Sequence, residues 1–396
     1  MSATLKFGLG QWATKKGSTL AYNSENGNYK PLPFNFERAS GATRVNKNGL
    51  IEVVSNNKPR IDFKDSADGS LLLEPSRTNY ILKSDDVLST YQSQNGDVSD
   101  ASESINGFNN SIQIEYSTIG SLVYKRDFDP VIGTTYTISC FVQMNDNSTP
   151  IHSADSNSGD FCLINNNSFA SASDIKTERL GSTNIYRVSS TRTATDTNNR
   201  FGIVKYPTQS SKGFKVTGMQ LEAGSYATSY IPTQGSIGTR VAESCTQTPP
   251  SGIIGQTEGT IFVETSKWVE SNNGRFFSIS DGTTSNYIVI IQNTTFSNYA
   301  VYIVLGGVTQ AIYTSTVTIA DNSKIAVGYK ANDVVIYVNG VQVHTDTSVT
   351  IPACNKVYVS SRENGTATFQ SANGVRQALL YNTRLSNAQL QALTKI

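Results

Sequence analysis

The chain has 396 residues, only 16% of them charged, and a formal net charge of +1. That length suits two or three domains. Without a Lys/Arg run it offers no basic patch for a nucleic acid, and no stretch approaches the ~20 apolar residues that span a bilayer.

Aromatic residues make up 9% and Ser, Thr, Asn and Gly fill much of the polar share, a folded composition built for strands and turns. Residues 1–80 read as an irregular N-terminal anchor or oligomerisation region with a few strands, making a dimer or trimer the expected state. The opening "MSATLKFGLGQWATKKGS" lacks a signal peptide's apolar core, which predicts synthesis and folding in a cytoplasm. Gly49–Val54 and Pro59–Phe63 read as short strands, and Leu71, Leu72 and Leu73 as a buried one that Pro75 ends.

Residues 81–233 read as one β-sandwich. In "TTYTISCFVQM" Tyr136, Ile138, Cys140 and Val142 share a face. In "GFKVTGMQLEAG" period two puts Phe214, Val216, Gly218 and Gln220 on one face and Lys215, Thr217 and Met219 on the other. Residues 234–258, with Pro249, Pro250 and Gly252, read as a linker.

Residues 259–396 carry a dense run of strands and read as a second sandwich of jelly-roll type. Asn339-Gly340, between two alternating runs, predicts a two-residue hairpin. The chain ends in its clearest helix, "LSNAQLQALTKI": Ser386 is the N-cap, Gln389 closes a capping box, and Leu385 and Leu390 form a hydrophobic staple. The fold class expected is therefore all-β, two tandem β-sandwich domains after an irregular N-terminal region, with a short C-terminal helix. Cys140, Cys162, Cys245 and Cys354 match no C-x-x-C pattern and read as free structural thiols.

"LLLEPSRTN", with Leu73, Glu74, Pro75, Arg77, Thr78 and Asn79, and "QLEAGSYATSYIPTQGSIGTRVAE", from Gln220 through Tyr230 and Pro232 to Arg240, form a pair of signatures. Together they resemble those of bacteriophage virion surface proteins, the fibres and decorations of tail or head. That resemblance implies a carbohydrate-binding-module-like sandwich followed by a concanavalin A-like or laminin G-like lectin domain. It also implies other virion proteins and bacterial surface glycans as partners, host adhesion as the role, and a place on the virion surface after synthesis in the bacterial host. From the residues alone, Glu222 and Arg240 are expected to pair, and Tyr226 and Tyr230 to plug the mouth of the first sandwich.

Catalysis finds little to use. His152 and His344 have no accompanying nucleophile motif. Glu264 and Glu270 lack the spacing of a sandwich glycosidase's acids, so no enzyme is expected and a depolymerase stands as a rival reading, as does a purely structural particle protein. No cofactor is expected, although the loops Ser280–Asn286 and Ala320–Ser323 could offer oxygens to calcium. For a sugar ligand, Trp268 is the stacking candidate, with Asn272 and Asn273 for hydroxyls and Tyr287 as a further aromatic.

Overall fold

The computed structural model describes residues 5–8, 13–15, 18–20, 33–85, 88, 91–94, 97–125, 128–169, 171–266, 273–293, 298–316, 320–366 and 374–396. It is nearly all β, with one short C-terminal α-helix. The chain divides into two compact units: residues 42–53 with 76–240, and residues 1–41 with 54–75 and 241–396. The stretch read as a leader supplies strands to sheets: Ala42–Val45 pairs with Ile51–Val54, Pro33–Glu37 with Ser244–Gln247, and Arg60–Asp62 with Ser70–Leu72. Within residues 234–258, Gly238–Arg240 and Ser244–Gln247 are also strands.

The unit centred on residues 76–240 is a sandwich. Its larger sheet runs Val98–Asp100, Ile112–Ile114, Phe214–Ala223, Thr135–Met144, Tyr186–Thr193 and Ile175–Arg179; the smaller runs Gln92–Gln94, Ser121–Lys125, Phe201–Lys205 and Cys162–Ile164. Tyr136, Ile138, Cys140, Val142 and Met144 enter the core on one face of Thr135–Met144, as its alternation predicts, while Phe141 joins a separate apolar cluster.

The face assignment of Phe214–Ala223 is corrected beyond its midpoint. Ser139 pairs with Gln220 but Phe141 with Thr217, so Gly218 and Met219 together oppose Cys140. Gly218 has φ +61°, and a Cβ there would stand 2.7 Å from the Phe141 ring. This bulge inserts one residue and reverses the alternation. Phe214 and Val216 therefore share the core with Met219 and Leu221, not with Gln220.

Gln220, turned off the core face, accepts from Ile231 N. Asn79 is wholly buried; its Oδ1 accepts from Ile81 N and Leu221 N, and its Nδ2 donates to Ile231 O. Arg77–Asn79 pairs antiparallel with Gly238–Arg240, where Thr78 and Thr239 hydroxyls meet at 2.8 Å. The two signature stretches are thus hydrogen-bonded to each other. Glu222 and Arg240 meet on Thr228, whose hydroxyl donates to Glu222 Oε1 and accepts from Arg240 Nη1 at 3.2 Å.

Tyr226 lies buried under the Arg77 guanidinium, 5.3 Å from ring centre. Tyr230 does not plug the space between the sheets. Its ring packs with Val45, Ile105, Phe141, Leu180 and Ile185, and its hydroxyl meets Ser84 Oγ at 2.6 Å. Phe141 points away from the inter-sheet core, so the ring packed on it covers the outer face of the larger sheet.

The other unit is a larger sandwich. One sheet runs Val341–Asp346, Val334–Val338, Lys324–Lys330, Glu258–Thr265, Val375–Tyr381, Ser70–Leu72 and Arg60–Asp62, with Leu5–Gly8 also on Val375–Tyr381. The second runs Ala13–Lys15, Ser18–Leu20, Pro33–Glu37, Ser244–Gln247, Lys356–Val359, Arg275–Ser280, Tyr287–Gln292, Tyr299–Leu305 and Val308–Thr314. The hairpin turn is Asn339-Gly340, with φ of 49° and 81°. The helix Asn387–Thr394 has its full capping box, and Leu385 and Leu390 are buried against Phe262, Val335 and Leu379.

A group of charges is buried in this unit. Glu243 Oε1 accepts from Arg38 Nη1 at 2.7 Å and from Arg60 Nε at 2.9 Å, and Glu243 Oε2 accepts from Glu74 N at 2.9 Å. Arg60 also pairs with Glu74 at 2.9 Å. Burial alone would lower the Arg60 pKa; Glu243 and Glu74 outweigh it and hold the guanidinium above its ordinary value. Arg38 spends its remaining donors on Ser40, Val54, Ser55 and Lys58 carbonyls.

Candidate functional site

A cleft of about 410 Å³ opens on the outer face of the smaller sheet in the 76–240 unit. Alternation builds its floor. Val123, Leu163, Phe201 and Ile203 point into the core, so Leu122, Ile164 and Val204 face outward, joined by Tyr124 and Cys162.

Two turns raise aromatic walls on that floor. Gln209 N donates to Tyr206 O and Gln209 Oε1 accepts from Tyr206 N, fixing Tyr206 just beyond the strand Phe201–Lys205. Asn166 and Asn167 both adopt φ near +54°, tolerated best by Asn and Gly, in the turn that delivers Phe169. The Arg192 guanidinium holds the Phe169 carbonyl at 2.8 Å. Phe169 and Tyr206 stand edge to face, 6.0 Å apart.

The polar lining comprises Ser121, Asn167, Ser168, Arg200 and Lys205. Arg200 lies 4.9 Å over the Tyr124 ring, and its carbonyl accepts from Asn167 N. Lys205 Nζ is occupied by the carbonyls of Asp160 and Ser210, at 3.0 and 2.7 Å, and burial lowers its pKa. Burial raises that of Tyr206, keeping its hydroxyl a neutral donor and acceptor. No carboxylate stands among the described lining residues, so the paired acids of glycoside cleavage are lacking there. Rings for the C–H face of a sugar, beside amide, hydroxyl and guanidinium groups, suit this surface to binding rather than bond breaking.

Of the residues singled out from the sequence, Trp268, Asn272 and Glu270 lie outside the described residues. Asn273 sits in a turn at φ 54° and its carbonyl accepts from Arg275 Nη1 at 2.8 Å. Tyr287 opens the strand Tyr287–Gln292, half-buried beside Tyr302 on the apolar patch Val289, Ile291 and Ala300; burial, then Glu363, raises its pKa. Asn273 and Tyr287 stand at opposite ends of the strand pair Arg275–Ser280 and Tyr287–Gln292, and neither lines the cleft. Tyr206, Phe169 and Arg200 were missed because the turns that gather them are long-range. The one local signal was "VKYP", an aromatic placed directly after a strand.

The remaining candidates are engaged elsewhere. Glu264 pairs with Arg376 at 2.8 Å. Asp281 accepts from Thr283 and Asn286 within its own loop, and no cluster of three His, Cys, Asp or Glu occurs among the described residues. His344 tilts against Tyr313 at 5.1 Å. All four cysteines are free and buried; burial pushes the Cys140 thiol up to about 12 and Cys162 to about 11.

His152 is a neutral core group: its Nε2 accepts from Leu163 N, and burial pulls its pKa from 6.5 down to about 4. A depressed folded pKa adds stability that is complete above the unfolded value and is lost as pH falls through the folded one. Stability should therefore drop by about 3 kcal/mol from this group between pH 6.5 and pH 4. Urea unfolding across that window checks it, and His152→Gln, which keeps an acceptor, should flatten that part of the slope.

No family model matches the chain, and no curated protein matches it. Solved structures similar in part include the sialidase CBM40 of Ruminococcus gnavus bound to α2,3-sialyllactose, at 14% identity and TM-score 0.32, covering 36% of this chain and 84% of that one. Domain 4 of AbnA, an extracellular GH43 arabinanase of Geobacillus stearothermophilus, in complex with arabinotriose, aligns at 12% identity and TM-score 0.32, over 39% of this chain and 73% of that one. A SAP-like pentraxin of Limulus polyphemus aligns at 13% identity and TM-score 0.28, over 35% and 70%. None of these likenesses bears on which residues of this chain bind a ligand.

Proposed function

We propose that this protein is a non-enzymatic surface component of a bacteriophage particle, and that it holds glycans of the bacterial surface in the cleft of its 76–240 sandwich. The observation that carries the binding reading is the cleft itself: Phe169 and Tyr206 as walls over an apolar floor, with polar groups at its ends and no carboxylate in its described lining. The phage setting rests on the paired signatures around Glu74–Asn79 and Gln220–Arg240, whose hydrogen bonding to each other gives their co-occurrence a structural reason.

One aromatic contact is worth about 1 kcal/mol, so a single site is weak and adhesion would gain from many copies on one particle. Tyr206→Ala should weaken binding of the full-length protein on a bacterial glycan array by roughly fivefold, without loss of thermal stability beyond about 1 kcal/mol. Binding that follows Trp268→Ala and ignores Tyr206→Ala would move the contact to the C-terminal sandwich. Absence of binding to any glycan would leave the purely structural reading.

A further inference from the structure

The polar groups of the cleft are unequal in a way that names a ligand chemistry. Ser121 pairs across the sheet with Lys205, at one end of the strand Phe201–Lys205. Arg200 immediately precedes Phe201, at the other end, about 17 Å away by strand rise. The cleft thus runs along the strand for the length of a short oligosaccharide. Ser121 alternates with Leu122 and turns its buried hydroxyl inward with Val123, away from the cleft, whereas Arg200 adjoins core-facing Phe201 on the outer face and its Nε has no hydrogen-bond partner among the described residues. Lys205 is spent on two carbonyls, so Arg200 is the cation left facing the cleft.

A neutral sugar would leave the guanidinium charge uncompensated as water leaves the cleft. A carboxylate matches the guanidinium fork with two charge-assisted bonds. Asn167, held beside Arg200 by its N–H on the Arg200 carbonyl, adds an amide at the same end. We infer that the cleft selects acidic oligosaccharides, a carboxylated sugar lying with its carboxylate on Arg200 and its neighbours running along Phe169 and Tyr206. This rests on the glycan-binding reading and narrows it to one class.

The test prints polygalacturonate and a panel of acidic bacterial capsular polysaccharides in two forms, native and carboxyl-reduced, which share linkage and differ only in charge. The full-length protein should retain at least one native polysaccharide at least tenfold more tightly than its reduced form, with the preference falling as salt rises. Arg200→Gln should erase the preference, and Arg200→Lys should keep part of it. Equal binding of both forms, or preference for the reduced one, would overturn the acidic selection while leaving glycan binding in place. Retention of no glycan in either form would remove both. The wild-type comparison decides the matter even if a variant at position 200 folds poorly.

Discussion

Glu243→Ala should lower the stability of the C-terminal sandwich by about 3–5 kcal/mol. Glu243 is 0% exposed and binds two guanidinium groups, those of Arg38 and Arg60, which are themselves buried. Removing the carboxylate takes from both buried cations the charge they share, although Glu74 still pairs with Arg60. Loss of one partner of a buried ion pair costs more than the pair contributes, because the stranded charge cannot recover its hydration. Against a domain stability of roughly 5–15 kcal/mol, this is from about a fifth to the whole of the folding margin. Urea unfolding of the full chain measures it, with Glu258→Ala as control, since Glu258 meets Lys330 at 3.9 Å on the surface. Surface pairs contribute roughly 0–1 kcal/mol. Equal midpoints for the two variants would show that the buried charges are not what holds these segments.

The same cluster explains why "LLLEP" and "TRVAE" stand where they do. Glu74 follows the strand Ser70–Leu72 by two residues, and its N–H is fixed by the carboxylate of Glu243, 169 residues later. Arg38 and Arg60 approach that carboxylate from two other segments. Four segments far apart in sequence are joined at one point, where hydrogen-bond directions constrain register more tightly than apolar contact can.

Local signals in the sequence were reliable where the chemistry is local. Asn339-Gly340 set its hairpin because both residues tolerate positive φ, and Ser386 with Gln389 set the helix start because both partners lie within one turn. The buried rows of Thr135–Met144 followed from period two. Alternation failed at Gly218, where an inserted residue reverses the faces; a glycine inside a strand pattern is the cue for such a bulge. Buried Arg38 and Arg60 were illegible, since arginine is rarely buried and its partners lie up to 205 residues away. The cleft was hidden for a related reason: Phe169, Arg200 and Tyr206 come from one sheet edge and two turns that adjoin only after strand pairing. Aromatic content drew attention to Trp268 instead, although composition cannot tell a wall from a core ring.

Asn79→Ala should cost about 4 kcal/mol, from two buried N–H donors left without an acceptor at about 1–3 kcal/mol each. Asn79 Oδ1 accepts from Ile81 N and Leu221 N, both at 3.1 Å, while Nδ2 donates to Ile231 O at 2.9 Å and Met219 O at 3.4 Å. One amide therefore joins "RTN" to both "MQLE" and "YIPT", and alanine can replace none of its bonds. Asn79→Asp separates hydrogen bonding from shape. Aspartate keeps the acceptor for Ile81 and Leu221 but turns a second oxygen towards the two carbonyls. Burial and those carbonyl oxygens raise its folded pKa above the unfolded value of about 3.9. A raised pKa means that the protonated form is favoured in the folded state, so its stability is complete below the unfolded pKa and is lost as pH rises through the folded one. The deficit of Asn79→Asp against wild type should thus shrink as pH falls from 8 to 4, whereas that of Asn79→Ala should stay constant. Paired urea titrations at each pH cancel the titration of the rest of the chain. Little deficit for Asn79→Asp at any pH, beside a constant one for Asn79→Ala, would mean that Asn79 acts by filling space, and that the two signatures are held together by other contacts.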